Sequence, residues 1–110
     1  MATCSPIEAA ESLWYLDFAV ATHMTLEEGI LSSLTPYASS NQVEVGNGSL
    51  LPVANVGSLT IRTLSNPLSL NNVLRVPKLK HNLLSIQCLC RDNNCQVEFN
   101  SSCFSVKENL

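Results

Sequence analysis

The sequence predicts an all-β fold, a small closed barrel carrying one or two short helices. Three observations predict it. Five or six β-prone runs follow one another at short spacing, separated by turn-forming clusters. The pair Asn47-Gly48 lies between two such runs, which is a strong hairpin signal. Of 110 residues, 45% are hydrophobic and 14% charged, enough apolar material for one small packed core.

The length fits a single domain, with residues 1–12 as a disordered leader, 13–107 as the barrel and 108–110 as a tail. A net charge of -3 with six Lys and Arg argues against a nucleic-acid footprint, so no direct nucleic-acid partner is expected. Aromatic residues, at 5%, are too sparse for a base-stacking platform. No apolar run approaches the roughly 20 residues that span a bilayer, so no membrane partner is expected. The first residues lack the basic and long apolar regions of a secretory signal, and a reducing cytoplasmic setting is expected. The cysteines, Cys4, Cys88, Cys90, Cys95 and Cys103, are odd in number and contain no C-x-x-C pair. They read as small buried hydrophobes, so no metal site and no cofactor are expected.

The elements follow in order. Residues 13–20 form an apolar run broken only by Asp17, the length of a buried strand entering a loop. Leu26, Ile30, Leu31 and Leu34 have helix-compatible spacing, which predicts a short helix ended by Pro36. Val43-Glu44-Val45, the turn Gly46-Asn47-Gly48 and Leu50-Leu51-Pro52-Val53 predict a hairpin whose Asn47 and Gly48 both take positive φ. Residues 56–63 predict a strand with Leu59 and Ile61 on one face and Thr60 and Arg62 on the other. After a turn at Ser65-Asn66-Pro67, residues 68–76 predict another strand, stopped by Pro77. Leu79, Leu83, Ile86 and Cys90 lie on one helical face, which predicts a helix over 82–90 capped by Asn82. Residues 96–99 and 104–107 complete a second hairpin around 100–102.

Asp17 is the residue that invites a chemical reading. A carboxylate among Trp14, Tyr15, Leu16 and Phe18 is costly unless paired or hydrogen-bonded, by several kcal/mol on the order of a desolvated charge. It is either a strand-end carboxylate held by backbone N–H groups or a group held for chemistry. His23 has no second His or Glu at ligand spacing and reads as a packing histidine. His81, within Lys78-Leu79-Lys80-His81, reads as part of a solvated turn. Gly46-Asn47-Gly48 lacks the Lys-Ser/Thr of a phosphate loop and reads as a hairpin tip.

Four blocks carry a resemblance: Trp14-Tyr15-Leu16-Asp17, Ala21-Thr22-His23-Met24-Thr25, Val43-Glu44-Val45-Gly46-Asn47-Gly48, and the long run from Leu70 to Ile86 with Arg75-Val76-Pro77 at its centre. Together they resemble the aspartic-protease-type, retropepsin-like β-barrel segment of copia-type retrotransposon Gag-Pol polyproteins, over residues 13–107. The resemblance implies self-cleavage of the polyprotein by a homodimer acting on a polypeptide substrate. Each protomer would supply one catalytic carboxylate, here Asp17. Val45, Gly46, Asn47 and Gly48 would belong to a flap over the substrate.

The family pattern continues from Asp to Ser or Thr and then Gly, whereas here Phe18 and Ala19 follow. Phe18 has no hydroxyl to brace paired loops, and its ring would crowd a dimer axis. The Cβ of Ala19 is expected to oppose the tight backbone turn that glycine permits. The resulting expectation is a protease-like barrel with an impaired catalytic loop. The alternatives are a working homodimeric aspartic endopeptidase and a non-enzymatic barrel used for interaction or assembly.

Overall fold

Alternating inward and outward residues organise this chain into short strands, as the buried–exposed order of Leu68–Arg75 illustrates. The computed structural model describes residues 2–3, 7–9, 12–37, 42–61, 67–99 and 104–108. In chain order these form β1 (Ala2–Thr3), β2 (Ile7–Ala9), β3 (Ser12–Asp17), β4 (Met24–Thr25), β5 (Ser32–Pro36) and β6 (Gln42–Glu44). They continue with β7 (Leu50–Pro52), β8 (Asn55–Ile61), β9 (Leu68–Arg75), β10 (Asn82–Ser85), α1 (Ile86–Asn93), β11 (Cys95–Phe99) and β12 (Phe104–Glu108). The all-β class expected from the sequence is the class observed.

The main sheet runs β2-β3-β10-β4-β9-β8-β5. Its centre sets up the site. β3 and β4 are joined by the loop that follows Asp17, yet they are not neighbours: β10 lies between them, parallel to β3 and antiparallel to β4. In the β3–β10 ladder, Asp17 stands opposite Ser85 and Trp14 opposite Asn82. β11 and β12 pair as the second expected hairpin, and β6 and β7 form a separate two-stranded ribbon. Two strands fall inside the segment expected as a disordered leader. β1 pairs with β12 and β2 with β3, so the described residues of that segment are part of the sheets.

Two apolar clusters hold these elements. The larger gathers Trp14, Ile61, Leu70, Val73, Leu84 and Leu89, with Val106 from β12. The smaller joins Met24, Val53, Val76 and Leu79, and the ribbon residues Val43, Val45 and Leu51 pack against it. β3 serves the first cluster through one face: Trp14 is fully buried, while Leu13 is 51% exposed. The expected continuous buried run is therefore an alternating one.

Both expected helices change. Residues 82–85 are a strand, and the helix begins at Ile86 with Ser85 as its N-cap, whose hydroxyl accepts from the Cys88 N–H at 3.3 Å. The helical spacing misleads because Leu79 and Leu83 pack in the smaller cluster while Cys90 packs against the larger. Asn82 cannot cap, since its amide is engaged between strands. The Asn82 Oδ1 accepts from Thr25 Oγ1 at 2.6 Å and from the Leu26 N–H at 3.1 Å. Its Nδ2 donates to the Leu13 carbonyl at 3.1 Å and to the Glu27 carboxylate at 3.0 Å.

No helix forms over 26–34 either. Leu26 packs in the smaller cluster and Ile30 and Leu31 in the larger, so the spacing again divides between two cores. One turn closes from the Leu31 N–H to the Glu28 carbonyl, and β5 follows on the sheet edge, where Pro36 is tolerated. Residues 62–66 and 100–102, Cys4 and Cys103 lie outside the described residues. The expected turns there, and the expected outward face of Arg62, are therefore not described.

Candidate functional site

Asp17 ends β3 because the chain leaves the sheet there. Its Oδ1 accepts the Ala19 N–H at 2.8 Å, a side-chain turn that starts the loop back toward β4. The loop is fixed at two further points. The Cys88 thiol of α1 donates to the Ala21 carbonyl at 3.0 Å, and Val20 packs on the smaller cluster. Phe18 is 75% exposed, so its ring projects from the surface rather than into the core.

Ala19 corrects one expectation. Among the described non-glycine residues, only Ser33, Asn72 and Asn94 have positive φ. The backbone at Ala19 thus lies outside the left-handed region, and its Cβ does not oppose the turn the loop adopts here.

His23 closes the loop from beneath. It is fully buried, and its Nδ1 accepts the Ser85 N–H at 3.0 Å. The proton of the neutral ring therefore resides on Nε2, which is buried with no hydrogen-bond partner among the described residues. Burial lowers its pKa from 6.5 to about 4, with Asp92 opposing the shift and Arg91 reinforcing it. The reading of His23 as a packing histidine agrees with this placement.

The ribbon β6–β7 arches toward this loop. Its tip is a three-residue loop: the Gly48 N–H donates to the Val45 carbonyl at 2.7 Å, and the Val45 N–H to the Ser49 carbonyl at 3.0 Å. Gly48 alone takes positive φ, at 84°. Asn47 does not, contrary to the two-residue turn expected; its Oδ1 instead accepts the Ser49 N–H at 2.9 Å.

A cleft of about 380 Å³ separates ribbon and loop, lined by Asp17, Ala19, Val20, Glu44, Val45, Gly46 and Gly48. The structure thus brings Asp17 together with Val45, Gly46 and Gly48. Asn47 lines a different cleft, on the Lys78–His81 side of the ribbon. Glu44 was not singled out by the sequence, because Val43-Glu44-Val45 reads as a strand with a solvent face. It adds a second carboxylate to the Asp17 cleft.

Residues 14–95 match the family described as "Pol polyprotein, beta-barrel domain". The chain belongs to the Pol polyprotein β-barrel domain family. It is 39% identical over 95 residues to the retrovirus-related Pol polyprotein from transposon RE1 of Arabidopsis thaliana, covering 86% of this chain and 6% of that one. It is 37% identical over 108 residues to the corresponding protein from transposon RE2 of the same plant, covering 98% and 7%. This Pol β-barrel domain is thus of the copia-type retrotransposon kind and spans a small part of its curated relatives' length. No solved structure matches it. Among the described residues of the Pol β-barrel domain, no group of three or more His, Cys, Asp or Glu is placed to hold a metal ion. No helix among them is long and apolar enough to cross a membrane.

Proposed function

We propose that this Pol β-barrel domain is of aspartic-protease type. Its inherited role is cleavage of the Gag-Pol polyprotein, and its catalytic loop is impaired at Phe18. The observation that carries the reading is the shared cleft, in which the Asp17 carboxylate faces a glycine-containing ribbon. Such a cleft admits an extended polypeptide between a carboxylate and a cover. One carboxylate is half of the chemistry. Two protomers meeting at Asp17 would share one proton between the pair, because adjacent carboxylates resist double ionisation. One would activate water while the other donates to the scissile carbonyl.

The impairment rests on Phe18 and no longer on Ala19. The Ala19 N–H already makes the turn-defining bond to Asp17. Phe18 presents an exposed ring where a hydroxyl would brace two loops across a dimer axis. The Ala19 geometry is also what favours the second reading, a working homodimer that tolerates the unusual loop.

Peptide-library cleavage at about pH 5, with and without pepstatin, tests both readings. The native chain should be inactive or nearly so. Robust pepstatin-sensitive cleavage that Asp17→Asn abolishes would establish the working homodimer and overturn the impairment. Absence of cleavage from the native chain and from Phe18→Thr alike, with sedimentation showing only monomer, would overturn the protease reading itself.

A further inference from the structure

The ribbon divides two clefts of opposite character. On one side lie the carboxylates of Asp17 and Glu44. On the other, a cleft of about 350 Å³ is walled by Leu51, Leu79 and Leu83 and edged by Lys78, Lys80 and His81. Among the described residues, no carboxylate lines this second cleft. The two clefts share Val45 and Gly46 at the ribbon tip, so an extended chain passing under the tip enters both.

The basic edge is held in place. Leu79 is buried in the smaller core, and its N–H donates to the Val76 carbonyl at 3.1 Å, which fixes the turn bearing Lys78 and Lys80. The His81 ring packs against Tyr15 with centroids 4.8 Å apart. Lys78 and Lys80 are exposed, and none of the described ion pairs involves them.

We propose that the cleft edged by Lys78, Lys80 and His81 is a substrate subsite that selects an acidic side chain from a polypeptide running beneath the ribbon. The inference rests on the peptide-cleft reading above and deepens it, since the charge pattern sets a side-chain preference. An acidic side chain fits the apolar-walled basic cleft, while the Asp17–Glu44 side disfavours it. The apolar walls and the net charge of -3 favour a peptide over a nucleic acid as the occupant.

The test is binding, which needs no catalytic competence. A single Glu is walked through a fluorescein-labelled apolar octapeptide, and affinities are compared with the same set carrying Gln or Lys. The best Glu peptide should bind about five-fold more tightly than its Gln counterpart, the scale of one or two exposed ion pairs, and the margin should shrink in high salt. In Lys78→Gln/Lys80→Gln the Glu-to-Gln ratio should fall close to one. The ratio in the native chain decides the matter even if the variant does not fold. Equal affinity for Glu, Gln and Lys peptides would overturn the subsite while leaving the peptide cleft standing. Binding of no peptide would overturn the peptide reading first and the subsite with it. Binding of a short RNA in place of every peptide would overturn it in favour of a nucleic-acid contact.

Discussion

The backbone N–H of Ser85 donates to Nδ1 of the buried His23 at 3.0 Å. Ser85 also stands opposite Asp17 in the β3–β10 ladder and caps α1 through its hydroxyl. One residue thereby ties the candidate catalytic strand, the loop that returns from it and the start of the helix. The bond requires a neutral imidazole, because a protonated ring has no acceptor nitrogen.

Stability should therefore depend on the charge of His23. Its folded-state pKa is lowered to about 4, below the unfolded value of 6.5, so the unfolded chain binds the proton first as pH falls. The contribution is fully present above about pH 6.5 and is lost progressively down to about pH 4, a total of roughly 3 kcal/mol. Urea unfolding at a series of pH values checks this. His23→Gln, which keeps an acceptor for Ser85, should flatten the slope across that window. An unchanged slope would contradict the assignment.

Asn82 should be among the most costly polar positions to change. Asn82→Leu leaves the Thr25 hydroxyl, the Leu26 N–H and the Leu13 carbonyl without their partner. Unsatisfied buried groups cost about 1–3 kcal/mol each, so a loss of about 3 kcal/mol or more is expected in denaturant unfolding. A loss below about 1 kcal/mol would show that these bonds are replaced by water.

Two glycines should respond differently to alanine. A Cβ at Gly57 would lie 2.9 Å from the Ser32 carbonyl oxygen and 3.1 Å from the Leu31 Cβ, so β5 must shift. Gly57→Ala should destabilise by about 1–3 kcal/mol. At Gly46 a Cβ meets nothing within 4 Å and φ is not positive, so Gly46→Ala should change the melting temperature little. Equal effects at the two sites would contradict the packing of β5 on β8.

Trp14 anchors the larger core directly behind the candidate site strand. It is fully buried, and Trp14→Ala should cost about 3–5 kcal/mol by removing a large apolar side chain. Calorimetry or urea unfolding reads the effect; a variant as stable as the native chain would place Trp14 outside the core.

The sequence made the hairpins legible because their turn chemistry is local. Gly48 and the alternation in Val43-Glu44-Val45 announce β6–β7 without reference to the rest of the chain. The helix boundaries were not legible, because helix-like spacing arose from residues serving two different clusters, as Leu79 and Cys90 do. The insertion of β10 between β3 and β4 is a long-range pairing that no local pattern encodes. Asp17 was conspicuous as a charge in an apolar run, and the resemblance supplied its partner ribbon. Glu44 and the basic cleft emerge only once β6–β7 is placed between Asp17 and Lys78–His81, a matter of tertiary position.

The central claim is that Asp17 is half of an aspartic dyad and that Phe18, not Ala19, disables it. The most direct measurement is kcat/KM on a peptide library at about pH 5 for the native chain, Phe18→Thr, Ala19→Gly and Phe18→Thr/Asp17→Asn. Activity that appears in Phe18→Thr, is absent from Ala19→Gly and disappears with Asp17→Asn is the predicted result. Activity restored by Ala19→Gly alone, or by Phe18→Thr but insensitive to Asp17→Asn, would contradict it.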